Sequence, residues 1–167
     1  MDDLQALLDK QELRDLIARL SRAVDRVDRD GIISCYAEES FDDHGRFRGS
    51  GREFAAFICD NTFTSMSPFV LHNLGQSVFD LEGDEAFGET IYTFYMQPAE
   101  GTLHHAIGRY VDYFQRIDGR WLIKYRRVVQ EWHGRFPYEE MPWGGHAKGT
   151  KDMNDPVYQR LTWPADK

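Results

Sequence analysis

"FVLHNLGQSVFDLEGDEAFGETIYTFYMQPAEGTLHHAIGRYVDYFQRIDGRWLIKYRRVVQEWHG", residues 69–134, alternates β-branched and aromatic residues with polar ones and breaks only at "LEGDE", "PAEG" and "IDG". Alternation is the period of a half-buried strand, and short breaks carrying Gly beside an acid are hairpin turns. The stretch therefore predicts four antiparallel strands in a meander. Around residue 107, Leu103, His105, Ile107, Arg109, Val111 and Tyr113 share one face, and His104, Ala106, Gly108, Tyr110, Asp112 and Phe114 share the other. Leu103 and Ile107 make the first face apolar, which predicts that His105 points into the fold.

Upstream, Leu4, Leu7, Leu8, Leu13, Leu16, Ile17, Leu20, Val24 and Val27 recur at helical spacing, predicting an amphipathic helix from residue 3 to about 27. "DRDGIISCYAEE" predicts a second, shorter helix and "REFAAFICDNTF" a third, with a strand at residues 41–49 between them. Helices followed by a strongly curved antiparallel sheet make an α+β domain, a cone whose concave face the helices cover. With 167 residues and 41% apolar content, one core is expected, a domain at 1–135. Gly and Pro concentrate after Phe136, so residues 136–167 are expected to form an irregular tail packed on that domain.

Composition removes several classes. A formal charge of −8, with 28 acids against 20 bases, opposes a nucleic-acid surface. No apolar run approaches the roughly 20 residues of a membrane span, and "MDDLQALLDKQEL" lacks a signal peptide's pattern, which makes the cytoplasm the expected address. Cys35 and Cys59 have no CxxC spacing and suit apolar filling. Six histidines occur without HxH or HExxH spacing, and "GRFRGSG" lacks the Lys-Ser/Thr ending of a P-loop. Neither a metal nor a nucleotide cofactor is expected.

Residues that carry chemistry remain. Asp25 ends the first helix as a solvated charge, a cap or a catalytic carboxylate; His72, between Leu71 and Leu74, is a satisfied core histidine or a base. In "FDDHGRFRG", residues 41–49, Asp42, His44 and Arg46 alternate with Phe41, Asp43, Gly45 and Phe47. The phenylalanine face is expected to pack inward. His44 and one aspartate, taken as Asp43, then line a pocket mouth, or the charges merely guard an edge strand. Tyr36, Tyr92 and Tyr95 are hydroxyl donors or core, and Arg109 on an apolar face calls for a carboxylate such as Asp25 or a substrate oxygen. Arg126 and Arg127 fall on opposite faces; Arg127 joins the substrate-contacting set, and one of the two is expected to solvate the outside. Trp132, with Phe136, Trp143 and Trp163, caps an aromatic ligand, seals a subunit contact or, as aromatics more often do, packs the fold.

The order of "RAVDRVDRDG", "DDHGRFRG", "VLHNLG" and "RIDGRWLIKYRRV" resembles the nuclear transport factor 2-like (cystatin-like) superfamily over residues 5 to 135, and within it the SnoaL-like branch. That branch includes scytalone dehydratase, hexachlorocyclohexane dehydrochlorinase, a bile acid dehydratase and lyases of lignin-derived dimers. The resemblance implies that Asp25 is the catalytic aspartate and His72 the histidine it orients. It implies that His105 is a second pocket histidine, and that His44 replaces a tyrosine that activates a water or carbonyl. Val24 stands where the dehydratase has a tyrosine before the aspartate, so the substrate does not carry over.

An Asp–His pair makes a general base at neutral pH, because the carboxylate fixes the imidazole tautomer and frees the other nitrogen. The expected activity is a cofactor-independent lyase eliminating water from a hydroxylated aromatic or polycyclic small molecule, with formaldehyde also lost if the substrate is a lignin-type dimer. An isomerase or cyclase, or a non-catalytic binding or assembly module, is the alternative. Exposed aromatics on the sheet, Tyr110, Phe114 and Trp132 or their neighbours, predict a homodimer or homotrimer.

Overall fold

The computed structural model describes residues 3–60, 63–99, 101–142 and 144–159; Trp143 and Trp163 lie outside the described residues. Helix α1 (Asp3–Arg26) buries Leu13, Leu16, Ile17, Leu20, Ala23 and Val24 along one stripe. Leu4, Leu7 and Leu8, in the same period, are exposed. The buried stripe begins instead at Asp9, whose carboxylate accepts from Arg116 (2.6 Å) and from the Trp121 indole (3.3 Å).

The second helix is shorter than its sequence suggests. α2 (Arg29–Ile33) is little more than a turn, capped by Asp28, whose carboxylate accepts the Gly31 N–H. Tyr36 already belongs to β1 (Tyr36–Asp43), where it pairs with Ile123. The predicted strand 41–49 is likewise split: β1 ends at Asp43, Gly45 turns the chain at φ 73°, and β2 (Arg48–Gly49) returns. α3 (Gly51–Cys59) opens on a Ser50/Glu53 capping box, and α4 (Phe63–Met66) is one turn.

The four-strand meander is present as β3 (Val70–Glu82), β4 (Glu85–Ala99), β5 (Thr102–Ile117) and β6 (Arg120–Pro137). The sheet order is β2-β1-β6-β5-β4-β3, an open curved sheet with β2 and β3 at its edges. β1 joins β6 in parallel across a register shift between Tyr36 and Phe41; the other pairs are antiparallel. A six-stranded curved sheet with its helices at the N-terminal side is the α+β architecture expected.

Burial decides which face is concave. Gly108, Tyr110, Asp112 and Phe114 are buried against the helices, while Ile107 and Val111 are exposed. The helix-covered face is thus that of His104, and the inward placement expected for His105 is corrected: His105 stands on the outer face. For the same reason Tyr110 and Phe114 do not face solvent. Their neighbours Ile107, Val111 and Trp132 do.

One row across the concave face runs Phe79, Gly88, Asp112, Arg126, Asp42. A Cβ on Gly88 would stand 2.6 Å from the Phe79 ring and 3.0 Å from the Phe114 ring. Gly88→Ala is therefore expected to lower unfolding stability by about 1–3 kcal/mol through overpacking. Urea unfolding checks this, and an unchanged midpoint would contradict the packing described.

Candidate active site

Asp25 owes its position to a strained helix end. The Val27 N–H donates to the Val24 carbonyl (3.1 Å) and the Asp28 N–H to the Ala23 carbonyl (2.8 Å). This is a Schellman stop with Val27 left-handed at φ 57°. A β-branched residue there costs on the order of 1–2 kcal/mol. The stop fixes Asp25 in the last turn of α1, beside β3.

His72 meets it from the edge strand. In its pair with Phe94, the His72 N–H points away from β4, and no strand lies beyond. Asp25 fills that gap with both oxygens: Oδ2 accepts the His72 backbone N–H at 3.0 Å, and Oδ1 lies 2.6 Å from Nδ1. A carboxylate on Nδ1 selects the tautomer in which Nδ1 donates and Nε2 carries the lone pair. Nε2 has no hydrogen bond among the described residues. A cleft of about 340 Å³ along the α1–β3 seam opens on the pair, with Ser21, Arg22 and Arg26 on the helix side and Leu71 and Leu74 on the strand side.

Aromatic rings continue inward from His72. Phe94 is 4.8 Å and Tyr92 6.5 Å from it between ring centroids, Tyr92 stacks on Tyr110 at 4.6 Å, and the Arg126 guanidinium lies 4.0 Å over Tyr110. Tyr92 is thus both core residue and site neighbour. Burial pushes its hydroxyl up, and that of Tyr110 more strongly, so both stay protonated donors. Cross-strand rows put His104 on this face as well, between Met96 and Arg135. Burial, then the charges of Arg135 and His133, push His104 down, and its buried Nε2 has no partner among the described residues.

A second dyad lies at the other side of the sheet. His44 Nδ1 bonds Asp42 Oδ1, while the Tyr36 hydroxyl donates to Asp42 Oδ2 at 2.5 Å. The His44 ring stacks on Phe54 at 4.5 Å. Burial, then Asp42, pushes the Tyr36 hydroxyl well up, so it remains a donor. The inward packing expected for Phe41 is therefore corrected: Phe41 is 43% exposed against Tyr125, and Asp42 is fully buried. Beside Asp42, Arg126 grips Asp112 through two 2.7 Å bonds.

The other candidates stand elsewhere. Asp43 accepts from the Gly45 N–H and from Arg48, each at 3.1 Å, with Arg127 3.6 Å away, so it ties the β1–β2 turn. The Gly45 N–H, then Arg48, holds its carboxyl below the usual range. Arg127 is the outward arginine and Arg126 the inward one. Arg109 pairs with Glu89 (2.6 Å) and Glu131 (2.8 Å) on the outer face, not with Asp25. Tyr95 stacks on His105 at 4.5 Å, and Trp132 meets the same imidazole edge-on at 5.5 Å. The structure therefore joins Asp25, His72 and Tyr92, joins Tyr36 with His44, and sends His105, Tyr95, Arg109 and Trp132 to the opposite face. His104, Tyr110 and Asp42 are polar groups on the concave face to which sequence reasoning gave no place in the site. No group of three His, Cys, Asp or Glu is placed to hold a metal ion among the described residues.

The family model of the SnoaL-like domain matches residues 5–127. No curated protein matches the sequence. Among solved structures, a hexachlorocyclohexane dehydrochlorinase (LinA) type 2 superposes with a TM-score of 0.76 at 17% identity, covering 87% of this chain and 100% of that one. A scytalone dehydratase-like protein from Novosphingobium aromaticivorans gives 0.69 at 15% identity, covering 86% and 97%. An NTF2-like protein with a cystatin-like fold from the same species gives 0.66 at 23% identity, covering 77% and 85%.

Proposed function

The chain belongs to the SnoaL-like domain family, and from that premise we propose that it is a cofactor-independent lyase that eliminates water, or a comparable group, from a hydroxylated aromatic or polycyclic small molecule. The observation that carries this reading is the two-oxygen grip of Asp25 on His72. It presets the tautomer a base requires and neutralises the imidazolium that forms. The names dehydrochlorinase and dehydratase among the structural neighbours support an elimination.

In this reading His72 Nε2 takes the proton, and the aromatic wall of Phe94, Tyr92 and Tyr110 receives the ring. Tyr92 and His104, on the same face, hold substrate oxygens. His44, backed by Asp42 and Tyr36, is a second proton-transfer candidate.

The narrower form takes a lignin-type diaryl dimer. His72 removes a para-phenolic proton, the benzylic C–O bond breaks with its pair moving to oxygen, and that oxygen takes a proton from an acid of the site and leaves as water, giving a quinone methide. Loss of the O–H proton from the neighbouring carbinol then breaks the carbon–carbon bond to release formaldehyde, and the electron pair restores the phenolate ring. Product mass with phenolic dimers tests the reading. A product lighter by one water supports the lyase, release of formaldehyde adds the narrower form, and an unchanged mass with rearranged bonding replaces both by an isomerase or cyclase.

The outer face supports self-association. Ile107, Val111, Trp132 and Phe136 are exposed around the half-buried Tyr95–His105 stack, an apolar surface of the kind a homodimer or homotrimer buries. Trp132→Glu is expected to shift the solution mass to that of one chain in light scattering. A mass unchanged by the substitution would remove this face as the contact.

A further inference from the structure

Beyond β6 the chain folds back as a strap over the end of α1. Asp155, 2% exposed, organises it: its carboxylate accepts the Thr150 N–H (2.7 Å) and the Val157 N–H (3.0 Å) and faces Arg26 at 3.5 Å. Tyr158 lies under the Arg22 guanidinium, 5.9 Å from its ring centroid. Arg22 and Arg26 also line the cleft that opens on Asp25 and His72. The strap therefore borders the candidate site.

From it Lys151 reaches inward. Its ammonium donates to the backbone carbonyls of Thr64 and Ser67 (the latter at 2.7 Å), on the segment that leads into β3 and His72. Two carbonyls fix the direction of the amine and leave its third N–H without a partner among the described residues. No carboxylate among the described residues touches it either, an unusual condition for a partly buried cation. Burial pushes the ammonium down, and the one charge that acts against this is that of Asp25. An amine of lowered basicity gives up a proton more readily than an ordinary lysine.

We propose that Lys151 is a catalytic residue of the elimination, holding the departing oxygen and protonating it; this rests on the lyase reading of Asp25 and His72. His72 Nε2 takes a proton from the substrate, and the electron pair so released forms the new double bond. The C–O bond breaks with its pair moving to oxygen. The oxygen takes one ammonium proton from Lys151 and departs as water, and the neutral amine is reprotonated from solvent while His72 returns its own proton there. The tail thus supplies an acid to pair with the base on the sheet edge.

The test compares wild type, Lys151→Met and Lys151→Arg on two substrates of the same skeleton, one losing hydroxide and one losing para-nitrophenoxide, which needs no proton to depart. Lys151→Met is expected to lose about 10²-fold in kcat on the hydroxyl substrate, the usual worth of a positioned acid, and to change little on the nitrophenoxide one. Lys151→Arg, which keeps the charge and the carbonyl bonds but is too weak an acid, should show the same split. Amide exchange at residues 149–158 reports whether the strap stays seated. Equal losses on both substrates, or full hydroxyl elimination by Lys151→Arg, overturn the role of Lys151 while leaving the lyase reading standing. No turnover of either substrate by wild type overturns the lyase reading and this proposal with it.

Discussion

His72→Ala is expected to lower turnover about 10²- to 10⁴-fold, the range a positioned general base contributes, with substrate binding reduced far less. His72 is the one base whose free nitrogen is set by a carboxylate beside the cleft. Asp25→Asn should fall into the same range by another route. An amide oxygen can accept from only one of the two His72 donors, and its N–H₂ has no acceptor on a protonated Nδ1. The tautomer preference is then lost while the ring stays in place. His72→Ala also leaves a buried carboxylate with one partner fewer, a stability cost of about 1–3 kcal/mol. Thermal unfolding measured alongside kcat separates the two effects: a rate loss that persists well below the melting temperature belongs to the chemistry. Turnover within a few-fold of wild type in a folded His72→Ala protein would assign the proton transfer to another group, His44 first.

The largest stability effect is expected at Asp112. Its carboxylate and the Arg126 guanidinium are buried together, at 3% and 2% exposure, and joined by two bonds. Burial works against both charges. At Asp112 it outweighs Arg126 and raises the carboxyl; at Arg126 the charge and bonds of Asp112 overcome it and hold the guanidinium protonated. The pair thus adds little net stability but is costly to split. Asp112→Asn should lose about 3–5 kcal/mol, because a cation is left in the core with weaker partners. The double variant Asp112→Leu with Arg126→Met should recover most of that loss, since no charge remains to be stranded. Equilibrium unfolding of the wild type and both variants decides this. A double variant as unstable as the single one would mean that Arg126 stabilises through Tyr110 rather than through Asp112.

Much of the architecture is legible in residues 69–134, because turn chemistry and alternation agree with each other over four strands. Side-chain parity is legible too, but its sign is not. Both faces of β5 are apolar: one packs the core through Tyr110 and Phe114, the other presents Ile107 and Val111 outside. Counting apolar residues therefore chose His105 over His104. A signal was present in Gly108 and, on the neighbouring strand, Gly88, which make room where Tyr92, and Phe79 with Phe114, crowd the concave face. The charges of "FDDHGRFRG" misled for a different reason. The register shift between Tyr36 and Phe41 turns Phe41 outward, and the buried Asp42 carboxylate is satisfied within its own strand and turn, by the Tyr36 hydroxyl and His44 Nδ1, with Arg126 opposite it on β6. Asp25 and His72 are singled out by the family resemblance, through their order along the chain, and the structure brings the two together. Lys151 is not singled out, since its partners are backbone carbonyls of α4 and its neighbourhood, which no residue pattern marks.

The measurement that bears most directly on the central claim follows a phenolic dimer through a single turnover by mass spectrometry in metal-free buffer, with wild type, His72→Ala and Asp25→Asn at equal concentration and each shown to be folded. The account predicts a product lighter by one water, or by water and formaldehyde, from wild type alone on the timescale of its turnover. Tight binding of the dimer by wild type with no change of mass, or equal product formation by all three proteins, would contradict it and leave Asp25 and His72 as a structural tie between α1 and β3.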